Sequence, residues 1–600
     1  MTADFDVLVI GGGHAGVEAA SAAARLGCRV GLVVLDPLAI GRMSCNPAIG
    51  GLAKGQLVRE VDALGGEMGL CTDATGIQFR MLNTSKGPAV RSPRAQCDRV
   101  AYNRVMAQRV LGLPNLTVVG GEAVALLAGR DGGVDGARLA DGTELTAKAT
   151  VLTTGTFLGG KLFAGEWETA GGRYGERAAA AIADSLRSLG LRLGRHKTGT
   201  PPRLAKSSID FARLEEQPGD AAPQPFSFRT ASLQVEQLPC WMTRTNARTH
   251  AIIAASAHRS PMFTGRIQGV GPRYCPSVED KVVRFADQPS HVVFLEPEGR
   301  DSDEIYPGGL STSLPADVQL EFLRSIEGLE RVEVLRPGYA VEYDYILTEQ
   351  LRGDLGVAGV ARLYAAGQIN GTSGYEEAAG QGLVAGLNAA RAARGEPPVV
   401  FDRATAYLGV MVDDLCRVNP QEPYRMFTSR AEFRLLLRSD NADRRLTPIG
   451  ERLGLVDAAQ ADVVREKERR ILGARRFLDQ RRREGRTLTE WLRRPEVAVA
   501  DLLAWDADFA GMLLSAAELA ELEAEIKYAG YIERQAMEVE RLQRMEHKRI
   551  PADFDYHRLP GLSNEARNRL LQRRPLTLGE ASRIAGVRQA DVQLLLVALR

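Results

Sequence analysis

Three observations in the 600-residue chain predict an α/β fold with a split domain. A strand–tight turn–helix–strand unit opens the chain, and a strand–glycine–helix unit comes back roughly 350 residues later. From about residue 400 onward, strand patterns give way to long, charged amphipathic ones. Together they predict a discontinuous Rossmann-type dinucleotide-binding domain (1–200 and 340–398). An α+β insertion (201–339) lies between its halves, and an all-α C-terminal domain (399–600) follows.

The first unit reads "FDVLVIGGGHAGVEAASAAARLG". Val7, Leu8, Val9 and Ile10 form a short continuous apolar run, as a central parallel strand buried on both faces requires. Gly11, Gly12, Gly13, His14, Ala15 and Gly16 follow, with glycines in G-x-G-x-x-G spacing. That spacing permits a tight turn, close backbone approach to a pyrophosphate, and close helix-on-strand packing. The helix start adds unpaired N–H groups and a positive dipole end. Gly27 closes the helix, "CRVGLVVLD" returns as a strand, and Asp36 stands twenty residues after Gly16, where an acid can bond a ribose hydroxyl. A glycine-rich turn alone specifies nothing; strand, helix, second strand and acid together point to a dinucleotide.

Which dinucleotide is decided further on. "ELTAKATVLTTGTFLGG" (144–160) resembles the strand-then-Thr-Gly segment of flavoproteins of the glutathione-reductase type, and "ARLYAAGQINGTSGYEEAAGQGLVAGLNAA" (361–390) resembles their final flavin segment. The usual Gly-Asp is here Gly367-Gln368. FAD is therefore expected. The helix from about Glu376 through Gly380, Gly382 and Gly386 carries small residues on one side, suited to close packing on the sheet.

Composition narrows the class. The 44% apolar and 25% charged content is that of an ordinary globular protein, and a net charge of +1 gives no global attraction to nucleic acid. No stretch approaches the ~20 apolar residues of a membrane helix, and the N-terminus lacks a signal-peptide pattern. Seven scattered cysteines suggest reduced thiols and a cytoplasmic location.

A flavoprotein with cysteines invites comparison with disulfide reductases, which need two thiols close in sequence. After Cys45 in "RMSCNPAIGG" no cysteine follows until Cys71, so that pair is absent. Cys45 opens a helix-like stretch, "KGQLVREVDALGG", where a helix N-terminus and Lys54 would favour thiolate; the plainer alternative is a small buried hydrophobe. Cys275, in "GVGPRYCPSVEDKVVRF" (269–285), sits in a turn stiffened by Pro272 and Pro276. Read alone it is packing. The charges behind it read as a solvated strand edge.

Within the insertion, "KSSIDFARLEEQPGDAAPQPFSF" reads as irregular, and "HVVFLEPEGRDSDEIYPGGLSTSLP" as strand, turn and loop. Beyond 400, "ADVVREKERRILGARRFLDQRRREGRTLTEWLRR" reads as helix with Ile471, Leu472, Phe477 and Leu478 on its apolar side. Residues 465–494 hold twelve Lys/Arg against five Asp/Glu, and the last sixty residues twelve against six. Such excesses suit phosphates, though ion pairing along a helix explains a basic run equally well.

Six motifs in order, "GGGHAGVEAA", "RMSCNPAIGG", "KTGTPPR", "GPRYCPSVEDK", "AGQINGTSGYEEAAGQG" and "MFTSRAEFRLLLR", with a C-terminal "GYIERQ…PGLSNEARNRL…LGEASRIAGV", resemble the MnmG (GidA) family of tRNA uridine 5-carboxymethylaminomethyl modification enzymes over nearly the whole chain. The resemblance implies an FAD enzyme, a homodimer that joins the GTPase MnmE in a heterotetramer. It acts on the wobble uridine of certain tRNAs. Methylenetetrahydrofolate is its one-carbon donor, glycine or ammonium its amine and NADH its reductant; no metal is implied. The resemblance places Gly11 to Gly16 at the FAD pyrophosphate, Val124 on the adenine side and Gln368 on the flavin side. It assigns to NAD the run Gly271, Pro272, Arg273, Tyr274, Cys275, Pro276, Ser277, Val278, Glu279, Asp280, Lys281, Val282, Val283, Arg284 and Phe285. Cys45 and Cys275 fall on its two catalytic cysteines, and Arg430, Arg434, Arg438, Arg444 and Arg445 become candidates for tRNA contact.

The chemistry has room for two thiols. A thiolate adding at carbon 6 of uracil makes carbon 5 nucleophilic, and a second group moves the carbon 5 proton. Arg273, Lys281 and the flanking prolines favour Cys275 as the nucleophile, with the assignment to Cys45 open. A folate-dependent flavoprotein tRNA methyluridine methyltransferase is the nearest alternative, but that family is shorter and lacks the helical tail. A non-catalytic flavin scaffold presenting tRNA is the alternative of a different class.

Overall fold

The structure is a computed structural model that describes residues 3–273, 276–418, 420–546, 548–582, 584 and 586–599. Five parallel strands form its central sheet in the order Leu116–Gly120, Val30–Val34, Phe5–Ile10, Glu144–Leu152, Leu363–Ala365. Val134–Leu139 and Ala123–Ala128 add antiparallel strands beside Glu144–Leu152. The apolar run of the first strand serves two cores: Val7 and Val9 face one, Leu8 and Ile10 the other. The strand Leu363–Ala365 comes from the far side of the insertion, which makes the fold discontinuous.

The first helix, His14–Arg25, and the helix Tyr375–Ala393 lie against each other on one face of this sheet. An added Cβ at Gly382 would meet the Ala15 carbonyl oxygen at 2.1 Å, and one at Gly386 the Ala19 carbonyl oxygen at 2.2 Å. The small residues thus serve helix-on-helix contact, not the helix-on-sheet packing expected from sequence.

Two further sheets occupy the middle of the chain. Trp167–Ala170, Lys161–Ala164, Tyr339–Ile346 and Leu193–Thr200 form one of four strands. Glu215–Gln217, Cys240–Arg244, Val292–Pro297, Glu304–Gly308, Arg203–Ala205 and Val334–Arg336 form one of six, with its own apolar core. Residues 304–308, expected as loop, pair with two neighbours in this sheet. The stretch behind Cys275 is also corrected: Val278–Arg284 is a helix, not a strand edge. Ser277 caps it by accepting the Asp280 N–H, and Val278 and Val282, one helical turn apart, enter the core. The irregular stretch that ends at Phe228 is pinned down, since the Phe226 and Ser227 amides donate to Asp73 and Phe226 is fully buried.

From Tyr407 onward, helices dominate. Among the described residues the exception is the hairpin Arg482–Arg483/Arg486–Thr487. It interrupts the long helix expected there, which spans Ala458–Gln480 before a short one resumes at Leu488–Leu492. Ile471 and Leu478 are buried as expected; Leu472 is 41% exposed. Two small cores, one around Ile471 and Phe509 and one around Ile550 and Leu595, organise this region.

Candidate active site

Gly11, Leu35, Gly121, Thr153 and Ala366, each the residue just past the end of one of the five parallel strands, all line one cavity of about 470 Å³. It is the crevice at the carboxyl ends of a parallel sheet, where ligands of such folds bind. The volume suits a cofactor.

The glycine turn is shaped for a phosphate. Gly11 has φ +112°, and a Cβ there would strike the Thr153 carbonyl oxygen at 2.5 Å. A Cβ on Gly16 would lie 1.8 Å from the Gly11 carbonyl oxygen, whereas one on Gly13 would meet nothing within 4 Å, so the turn is packed behind and open in front. Gly13 is the N-cap and supplies no side-chain cap, which leaves the first helix N–H groups to a ligand. His14 is buried and 4.5 Å from the Tyr375 ring; its Nε2 has no hydrogen-bond partner among the described residues. Burial, aided by the Arg173 charge, lowers its pKa to about 3, so the imidazole is neutral. Asp36 lines the cavity, caps the turn after its strand by accepting the Leu38 N–H (2.9 Å), and lies 3.6 Å from Arg42. Gln368 lines it too, behind Gly367 at φ +87°. After the strand Leu116–Gly120 the lining runs through Gly121, Glu122 and Ala123, and Val124, one residue on, is not part of it. These residues fit a dinucleotide.

Cys45 lies on the same cavity. Its surroundings differ from the sequence reading: the strand Ala48–Gly50 separates it from the helix Lys54–Ala63, and Lys54 is engaged by Glu376 (2.8 Å) and Glu377 (3.4 Å). The Cys45 amide donates to the Tyr375 hydroxyl (2.7 Å), and the sulfur lies 3.1 Å from the Tyr306 hydroxyl. The guanidinium of Arg203 covers the Tyr306 ring at 4.8 Å and is itself buried. It pairs with Glu298 and donates to Thr200 Oγ1 (3.0 Å), the Pro201 carbonyl (2.7 Å) and the Cys45 carbonyl (3.4 Å). Burial pushes the Glu298 carboxyl up, against the pull of Arg203. Arg203 belongs to the motif "KTGTPPR" and Tyr375 to "AGQINGTSGYEEAAGQG"; nothing local in sequence marks Tyr306.

A second cavity of about 710 Å³ shares Pro272 and Arg425 with the first. Gly271, Arg273, Pro276, Asp280 and Arg284 line it from one side, and Glu422, Tyr424, Phe427 and Arg430 from the other. Tyr274 and Cys275 lie outside the described residues. The cations expected beside Cys275 are engaged: Lys281 donates to the Gly309 carbonyl (2.8 Å), and Arg273 lies 3.9 Å from Glu422. Glu279 accepts the Ser313 amide (2.8 Å), so part of the 271–285 run anchors the segment to the inserted core.

The arginines expected at tRNA divide. Arg438 is 1% exposed and pairs with Asp440, Arg444 with Glu468, Glu521 and Glu525, and Arg445 with Glu60. These three are internal ties, not surface cations. Arg430 lies over the Tyr424 ring, and Arg434 is exposed.

Comparison with known proteins gives a consistent picture. Residues 6–397 match the family described as "Glucose inhibited division protein A". Residues 457–536 and 538–600 match the MnmG/GidA C-terminal helical domain and helical bundle. The chain is 52% identical to the tRNA uridine 5-carboxymethylaminomethyl modification enzyme MnmG of Syntrophotalea carbinolica, over 100% of this chain and 99% of that one. It is 51% identical to the MnmG of Geobacter sulfurreducens, over 99% and 98%. The crystal structure of Aquifex aeolicus GidA superposes with a TM-score of 0.91 at 47% identity, covering 99% of this chain and all of that one.

Proposed function

The chain belongs to the MnmG/GidA family, and we propose that it is a flavin-dependent enzyme that modifies carbon 5 of the wobble uridine of certain tRNAs. The observation that carries this reading is the shared cavity: a phosphate-shaped glycine turn and the Cys45 thiol open on one space. FAD bound there supplies reversible two-electron redox chemistry. Gly11 to Gly16 and the first helix N-terminus hold its pyrophosphate, Asp36 its ribose, and Gln368 with Gly367 its ring system.

The protein's own groups handle the base. A wobble nucleotide in a single-stranded loop leaves its stack at a cost of a few kcal/mol. One cysteine thiolate adds at carbon 6. Glycine or ammonium takes the methylene carbon of methylenetetrahydrofolate as an iminium, both folate C–N bonds breaking so that tetrahydrofolate leaves. Carbon 5 attacks that carbon, with no net change of oxidation state in this step. A base removes the carbon 5 proton and the thiolate is expelled. Cys275 and Cys45 share these two roles, with Cys275 favoured as nucleophile. The second cavity, lined by Gly271 to Arg273, Pro276, Asp280 and Arg284, takes NADH. The chain works in the cytoplasm as a homodimer together with the GTPase MnmE.

The test uses tRNA carrying 5-fluorouridine at the wobble position, which cannot release the carbon 5 substituent as a proton. A covalent adduct is expected with the parent protein and with Cys45→Ser, and none with Cys275→Ser. The reverse pattern exchanges the two roles. Full formation of modified nucleoside by both single variants, measured by mass spectrometry with MnmE, GTP, folate and glycine present, would sink covalent catalysis by either thiol. Reduction of the bound flavin by NADH separates the enzyme from a passive tRNA-presenting scaffold.

A further inference from the structure

The Cys45 sulfur and the Tyr306 hydroxyl, 3.1 Å apart, both line the cavity and come from different parts of the fold. The cysteine sits on a loop after the second strand of the central sheet. The tyrosine sits on Glu304–Gly308 of the inserted sheet, held between Val292–Pro297 and Arg203–Ala205. Tyr306 is 5% exposed, so the phenol has little freedom to turn away. Its ring lies under the Arg203 guanidinium, which four acceptors hold in place, one of them the Cys45 carbonyl. A cation over the ring draws charge from the phenol and strengthens its O–H as a donor. The cysteine is fixed independently through its amide on Tyr375.

We infer that Tyr306 is a positioning residue for Cys45: its O–H donates to the sulfur and holds it as a thiolate aimed into the cavity. The inserted sheet thereby takes part in the chemistry of the first domain, with Arg203 as the element that links them. No proton leaves the phenol in this arrangement; the thiol proton goes to solvent and the hydrogen bond stabilises the charge left behind. The opposite sense, S–H donating to the phenol oxygen or to the Gly199 carbonyl 3.8 Å from the sulfur, would stabilise the neutral thiol and makes the opposite prediction.

This rests on the reading of Cys45 as a reacting thiol, but the test needs no tRNA, so failure of the modification assay and failure of this inference are separable. The full-length protein is alkylated with iodoacetamide across the thiol titration range, and the product is quantified on the peptide that contains Cys45. In Tyr306→Phe the pH profile is expected to move up by about one unit, with the rate at neutral pH falling about tenfold. Tyr375→Phe, which removes the partner of the amide and not of the sulfur, should move the profile by less. Placing 3-fluorotyrosine at position 306, a stronger donor of nearly the same size, should move it down. A profile that stays or falls in Tyr306→Phe, an equal shift in Tyr375→Phe, or an upward shift with 3-fluorotyrosine overturns the inference.

Discussion

Gly382→Ala is the smallest change that tests how the phosphate cradle is held. The new Cβ would stand 2.1 Å from the Ala15 carbonyl oxygen, and ordinary contact begins at 3.4 Å. The two helices must therefore part by up to 1.3 Å, the difference of those values, or bend locally. Overpacking of this kind costs about 1–3 kcal/mol, and the gain in helix propensity returns at most about 1 kcal/mol. Because Ala15 belongs to the cradle, the displacement falls on the groups proposed to hold the flavin phosphates. Flavin affinity should fall about tenfold, which is about 1.4 kcal/mol. The assay is flavin fluorescence on titration and on heating. Gly473→Ala, in the middle of the helix Ala458–Gln480 with only the end of the Met512 side chain within 4.0 Å, is the control. It should stabilise the helical region by about 0.5–1 kcal/mol. If Gly382→Ala melts at or above the parent temperature and holds flavin equally well, the cradle does not depend on that helix contact.

Glu18 gives a pH prediction. Its carboxyl, buried and beside the Glu67 charge, is raised to about 7, although it accepts the Glu67 and Met68 amides. The folded chain keeps a proton that the unfolded chain gives up, so this group costs stability as pH rises from about 4.5 through 7. Glu18→Gln should gain roughly 2–3 kcal/mol on the parent between about pH 5 and 8, read from urea midpoints; an equal pH dependence would contradict it. Arg482 and Arg486 on the exposed hairpin have no ion pair within 4.0 Å among the described residues, unlike Arg465 and Lys467 nearby. Reversing both to Glu should weaken tRNA binding and flatten its salt dependence while flavin stays bound; an unchanged salt slope would exclude the hairpin. Truncation at about residue 550 removes one complete core, around Tyr556 and Leu595. It should abolish tRNA or MnmE binding without loss of yellow colour, and a folded but colourless product would refute that division of labour.

The cradle was legible because its logic is local: Val7 to Gly16 specify strand, turn and helix within ten residues. The return of the fold at Gly367 was legible for the same reason. The surroundings of Cys45 were not, since Tyr306 and Tyr375 lie 261 and 330 residues away in sequence. Val278 and Val282 were read with their neighbours as alternation, although the same spacing fits a helical turn and Ser277 stood ready as a cap. The basic motif misled at Arg438, Arg444 and Arg445, because a string of arginines does not show the buried carboxylates of Glu60 and Glu521 that meet two of them. Leu472 shows the limit of periodicity, which identifies a stripe but not its width.

The strand Leu363–Ala365 has a consequence for how the chain is made. Its partner strand ends at Leu152, so about 210 residues separate the two during synthesis. At about 5–20 residues per second the ribosome needs roughly 10–40 seconds to supply it. Throughout that interval the nascent sheet has an unpaired edge, and the helix that covers its face does not yet exist. The middle of the chain, with a core of its own, can fold meanwhile and bring the two halves within reach. Loading of the cofactor then follows the emergence of Gly367, late in translation, and a cell short of flavin would meet a protein already two-thirds made.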